Sequence, residues 1–170
     1  MRTITFYATA ALLFASGIGV AKAAAPIRIT AKHGSGAILM AEGGVGAFEI
    51  SILPNGKTSI STFTHRRGDL KKATRNLSLT RTQLDRIARI VTDNRFFQLP
   101  SEMEGSAEDS PFYTLEIAMG PQHAQVQVHA PAFYPRKSLL RRFRRVWAAV
   151  SDAVGFTRDS DALHHLTVNS

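Results

Sequence analysis

Apolar and polar residues alternate from Phe48 to Ile52, with Glu49 and Ser51 between Phe48, Ile50 and Ile52. A period of two marks a strand with one buried face. Pro54-Asn55-Gly56 follows, and Asn-Gly supplies the positive φ angles of a tight hairpin. Thr58 to Thr64 alternates again through Ile60 and is rich in β-branched residues, so the two runs read as a hairpin. A second alternation runs through Tyr113, Leu115, Ile117 and Met119 to a turn at Gly120-Pro121-Gln122-His123. Beyond it Val126 and Val128 face one way and Gln125, Gln127 and His129 the other, which predicts a second hairpin with one wet face. Weaker signals precede the first hairpin: a short strand at Ile27–Thr30, a turn at His33–Gly36, a second short strand at Ala37–Ala41 and a flexible connection at Glu42–Gly46.

Two segments carry the helical period instead. Leu84, Ile87, Ala88 and Val91 recur on one face, and Thr80 with Gln83 three residues on forms a capping box, in which each side chain satisfies an otherwise orphan backbone N–H. Asn94 suits a left-handed stop. Phe96, Phe97 and Leu99 dock the exit, and Pro100 prevents resumption. Roughly residues 136 to 154 form a longer helix, with Leu139, Phe143, Val146, Trp147, Val150 and Val154 as its apolar stripe and Gly155 as its stop. Between these elements, His65 to Asn76 reads as an exposed basic loop or frayed edge strand. Ser101 to Pro111, with Glu102, Glu104, Glu108 and Asp109, reads as an acidic surface loop. Hairpins without βαβ spacing predict an α+β domain: an antiparallel sheet of two main hairpins with two helices packed on one face.

The first 23 residues change the picture. Arg2, an apolar run from Ile4 to Val20, and the small-x-small triplet Ala21-Lys22-Ala23 predict an export signal cleaved after Ala23. The run is short and interrupted for a spanning helix, and no later stretch is apolar enough to cross a bilayer. The expected organisation is a signal peptide over 1–23, one domain over 24–155 and a flexible tail over 156–170. The protein is then exported, either periplasmic or fully secreted. The chain has no cysteine, which excludes disulfides, thiolate nucleophiles and thiolate metal sites.

Charge is the strongest bias. The chain carries 21 Lys and Arg against 13 Asp and Glu. Without Arg2 and Lys22 the balance is still 19 to 13, a net +6. Such a field steers a protein to anionic partners, here an anionic lipid, a lipopolysaccharide or an acidic envelope protein. The candidate binding residues are Arg141, Arg142, Arg144 and Arg145 on the long helix, joined by Arg66, Arg67, Lys71 and Lys72 if that loop lies beside it. Arginine would hold phosphates or carboxylates with paired hydrogen bonds. The competing view is a solvated outer face whose arginine stems cover apolar surface.

Catalytic patterns are scarce. The sequence has no Gly-x-Ser-x-Gly and no His-Glu-x-x-His. Gly43-Gly44-Val45-Gly46 lacks the lysine and helix of a phosphate loop. His164-His165 has no evident third ligand, so no metal or cofactor is expected. No helix-turn-helix, zinc-finger or RNP-type pattern points to nucleic acid. Two other classes stay open: a hydrolase of envelope polymers using carboxylates such as Glu102 to Asp109, and an inhibitor of an acidic enzyme.

Phe48–Ile52, Pro54-Asn55-Gly56-Lys57, Leu79 through Val91, Phe96-Phe97-Gln98-Leu99-Pro100 and Asp109 before a strand pair form a pattern. Across residues 48–150 it resembles small exported bacterial proteins of unknown function. Some of those carry a cysteine pair near the first strand, which this chain lacks. The resemblance implies an α+β fold and an envelope location, and no catalytic residue.

Overall fold

The computed structural model describes residues 25–34, 45–66, 69–107 and 110–156. Among these the chain forms β1 (Ile27–Gly34), β2 (Val45–Ile52), β3 (Lys57–Arg66), β4 (Asp69–Ser78), α1 (Arg81–Asp93), β5 (Glu102–Glu104), β6 (Phe112–Met119), β7 (Gln122–His129) and α2 (Lys137–Ala153). The expected signal peptide, the Ala37–Ala41 strand and the tail beyond Phe156 lie outside the described residues. All strands join one sheet in the order β4-β3-β2-β1-β6-β7-β5. The fold is α+β, with a mostly antiparallel seven-stranded sheet and two helices.

Each strand's alternation fixes which residues it buries. Ile27, Ile29 and Ala31 of β1 are buried while Arg28 and Lys32 are exposed. Phe48, Ile50 and Ile52 continue the buried rows in β2, and Leu115, Ile117, Val126 and Val128 continue them across β6 and β7. These residues share one core with Leu84, Ile87 and Val91 of α1 and with Phe143, Val146, Trp147 and Val150 of α2. Burying a large apolar side chain contributes about 1.5–3 kcal/mol, so this shared core holds sheet and helices together. β1 is the seam of the sheet: it pairs with β2 on one side and with β6 on the other.

The first hairpin turns as its chemistry demands. Gly56 sits at φ +84°, its N–H donates to the Leu53 carbonyl at 2.9 Å, and its own carbonyl accepts the Leu79 N–H at 2.9 Å. The turn thereby anchors the entry to α1, where the Thr80–Gln83 capping box forms in both directions.

The structure departs from the sequence reading at several points, among them Val45 and Gly46, which begin β2 instead of a flexible connection. His33 and Gly34 extend β1 instead of turning. Of the two readings of the basic segment, the edge strand is the one that forms: β4 is ten residues long and pairs with β3 along its length. The acidic loop contains β5, whose Met103 is buried and which runs parallel to β7. Asn94 keeps φ −88°; its amide donates to the Ile90 carbonyl at 2.8 Å, and Arg95 takes the left-handed conformation at φ 49°. Leu140, not Leu139, is the buried leucine of α2.

Candidate functional site

The basic candidates divide into four groups by what each side chain touches. Arg142 is structural: its Nε donates to the Asn94 carbonyl at 2.8 Å and its Nη2 to the Arg95 carbonyl at 2.6 Å. These carbonyls end α1, so Arg142 staples α2 to that terminus. Arg144 is half-buried beside Tyr113, and desolvation lowers its pKa while Tyr113 opposes the shift. Its Nε is buried without a hydrogen-bond partner among the described residues. Arg141 and Arg145 remain exposed.

Lys71 and Lys72 form the fourth group, on exposed β4. The Lys72 ammonium sits 5.6 Å from the centre of the Phe63 ring. Neither lysine has a carboxylate within ion-pair distance among the described residues, where the ion pairs are Lys32–Glu49, Arg81–Asp85 and His123–Glu116. The backbone of Arg66 ends β3; its side chain and all of Arg67 lie outside what is described.

Along the axis of α2 its exposed arginines are set back from the bond that joins the helix to β4. The 3-10 turn Phe96–Gln98, just beyond the carbonyls that Arg142 holds, packs against both β7 and α2. At its other end α2 reaches β4, where Arg75 Nη2 donates to the Val154 carbonyl at 2.7 Å. Five strand spacings separate β7 from β4, about 24 Å at about 4.8 Å each. The two anchored points of α2, Arg142 and Val154, lie about 18 Å apart along its axis at about 1.5 Å per residue. Arg145 and Arg141 lie about 14 and 20 Å before Val154 along the axis, at about 1.5 Å per residue. The hydrogen bond from β4 to α2 is made at the far end of the helix, away from both arginines.

Around that junction the surface is concave. A groove of about 340 Å³ is lined by Ile60, Thr62, Ala73, Thr74, Arg75, Gly155 and Phe156. It opens where β3 and β4 extend past the last turn of α2. The pairing register places Lys71, Ala73 and Arg75 opposite Thr64, Thr62 and Ile60. Strand alternation therefore puts those three on the groove side, and Lys72, opposite Phe63, on the other side.

The acidic candidates are arranged differently. Glu102 and Glu104 are exposed on β5 and line a shallow groove of about 190 Å³ with Met103, Gln127 and His129. The two carboxylates share one strand and one face, not the opposed walls of a glycosidase cleft. Glu108 and Asp109 lie outside the described residues. No group of three or more metal-ligating side chains converges among the described residues, and no helix there is long and apolar enough to cross a membrane.

One feature carried no sequence signal. His33 is half-buried, its ring centre 5.2 Å from that of Phe48 and 4.6 Å from that of Tyr113. Desolvation lowers its pKa from 6.5 to about 4, so it is neutral near pH 7. Trp147 packs edge-on against Tyr113 at 5.1 Å, closing an aromatic cluster beneath α2.

No protein-family model matches the chain, and no curated protein is significantly similar to it.

Proposed function

We propose that this protein is a non-enzymatic binding domain of the bacterial envelope that engages an anionic partner through the exposed edge of β4. The carrying observation is the pair Lys71 and Lys72, exposed on a strand whose outer edge is unpaired, and with no carboxylate within ion-pair distance of them, among the described residues. The export pattern of residues 1–23, the net positive charge and the resemblance to small exported proteins favour the envelope as its setting. Arg141 and Arg145 add long-range attraction in this reading, whereas Arg142 serves the fold. Both helices are taken to lie on the buried side of the sheet, which the packing of Trp147 on Phe48 and Tyr113 supports. β4 then projects beyond them.

Charge reversal tests the reading. Chain 24–170, the variant Lys71→Glu/Lys72→Glu and the variant Arg141→Glu/Arg145→Glu are titrated with polyglutamate and with phosphatidylglycerol vesicles at low and high salt. Salt-sensitive binding that the lysine variant loses, and the arginine variant largely keeps, is the expected result. Loss in the arginine variant alone would move the site to α2. Binding unaffected by either pair would leave the charge as a solubility device and end the proposal.

A further inference from the structure

An edge strand is more than a row of charges. Alternate residues of β4 direct N–H and C=O groups away from β3, with no strand to receive them among the described residues, and such an edge is a template for another chain. The groove beside it supplies what strand addition needs for selectivity, a recess for alternate side chains of the incoming segment. We infer that the partner, if the β4 reading holds, is an extended acidic peptide segment that adds to the sheet as an eighth strand.

The register specifies its chemistry. Lys71 and Lys72 point to opposite sides of the sheet, so the added strand presents carboxylates at adjacent positions, one toward each lysine. Opposite Ala73 an apolar side chain enters the groove against Ile60 and Phe156. Directly opposed residues of paired strands sit about 4.5–5.5 Å apart, close enough for unlike charges to attract and like charges to repel. The same rule disfavours a second copy of this chain as occupant. Antiparallel self-pairing centred on Ala73 sets Lys71 of each copy opposite Arg75 of the other. In that register, over the groove, the lysines oppose a second copy and admit an acidic strand.

Backbone chemistry separates this inference from simple charge attraction. A fluorescein-labelled decapeptide alternating Glu-Glu with Val is titrated into chain 24–170 by anisotropy, beside the same peptide N-methylated at alternate residues. Methylation leaves every charge in place and removes donors that strand pairing requires. Binding of the plain peptide should weaken at least ~10-fold on methylation, and ~10-fold in Lys71→Glu/Lys72→Glu, as two cross-strand attractions become repulsions. β4 amides should gain protection from hydrogen exchange in the complex. Equal binding of both peptides would overturn strand addition while leaving the anionic-partner reading intact. Failure of both peptides while polyglutamate still binds would do the same. Failure of the peptides, polyglutamate and phosphatidylglycerol vesicles together would remove both. Sedimentation that shows a dimer displaced by the peptide would assign the edge to a second copy instead.

Discussion

Arg75 Nη2 donates to the Val154 carbonyl at 2.7 Å, tying edge strand β4 to the terminal turn of α2. Carbonyls at a helix C-terminus have no intrahelical partner, and a cationic donor there also meets the negative end of the helix dipole. Arg75→Met keeps most of the stem and removes the donor. Its expected cost is about 1–2 kcal/mol, with faster hydrogen exchange concentrated in residues 69–78. A loss of stability with no change in β4 exchange would show that the bond does not hold the edge.

Arg141 and Arg142 are neighbours with different work. Arg142→Ala strands the carbonyls of Asn94 and Arg95 and is expected to destabilise by about 1–3 kcal/mol. Arg141→Ala, at an exposed position, should stay within about 0.5 kcal/mol of the parent. Urea midpoints of the two variants decide the matter; equal midpoints would mean the Arg142 staple contributes nothing net.

Gly56 cannot carry a side chain without rearrangement. Its φ of +84° disfavours other residues, and an added Cβ would lie 2.3 Å from the Leu79 carbonyl oxygen. Gly56→Ala is expected to cost about 2–3 kcal/mol from backbone strain and the displaced contact. Because Leu79 leads into the capping box, thermal unfolding of the variant should show a lower Tm together with early loss of helical ellipticity. A Tm within a degree of the parent would contradict this.

His33 makes stability depend on pH. Its folded pKa of about 4 lies below the unfolded 6.5, so between those values the unfolded chain binds more protons. The contribution is complete above pH 6.5 and is lost as pH falls through 4. At most it amounts to about 3 kcal/mol, from about 1.4 kcal/mol per pKa unit. His33→Phe retains a ring between Phe48 and Tyr113 and removes the titration. Denaturation free energies of the parent should therefore fall more steeply than those of the variant between pH 6.5 and 4. Parallel pH profiles would assign the acid sensitivity elsewhere.

How much of this was legible depended on whether the signal was local. The Thr80–Gln83 box and the alternation of β6 and β7 are set by neighbours in sequence and fold as read; the first hairpin also forms, although of Asn55 and Gly56 only the glycine takes a positive φ. β4 was ambiguous because Asp69, Lys71, Lys72, Arg75 and Asn76 have little strand propensity; pairing along β3 imposes the conformation. β5 is three residues, two of them glutamate, and only Met103 reaching the core beside β7 makes it a strand. The candidate binding residues were legible as charges but not as roles. Nothing in an arginine run distinguishes Arg142, which meets backbone 47 and 48 residues earlier, from exposed Arg141. The His33 environment was invisible for the same reason, since Phe48 and Tyr113 reach it from two other strands.

The pairing of β1 with both β2 and β6 also sets a timetable. β2, β3 and β4 follow β1 closely and can close against it as a meander. β6 begins at Phe112, 85 residues after Ile27, which at about 5–20 residues per second of synthesis is a delay of about 4–17 s. Through that interval Ile27, Ile29 and Ala31 belong to the open border of a half-built sheet. Long-range pairing of this kind is slow and exposes apolar strand edges to other molecules. The open border of β1 is thus the part of the sheet that is completed last, whenever folding begins.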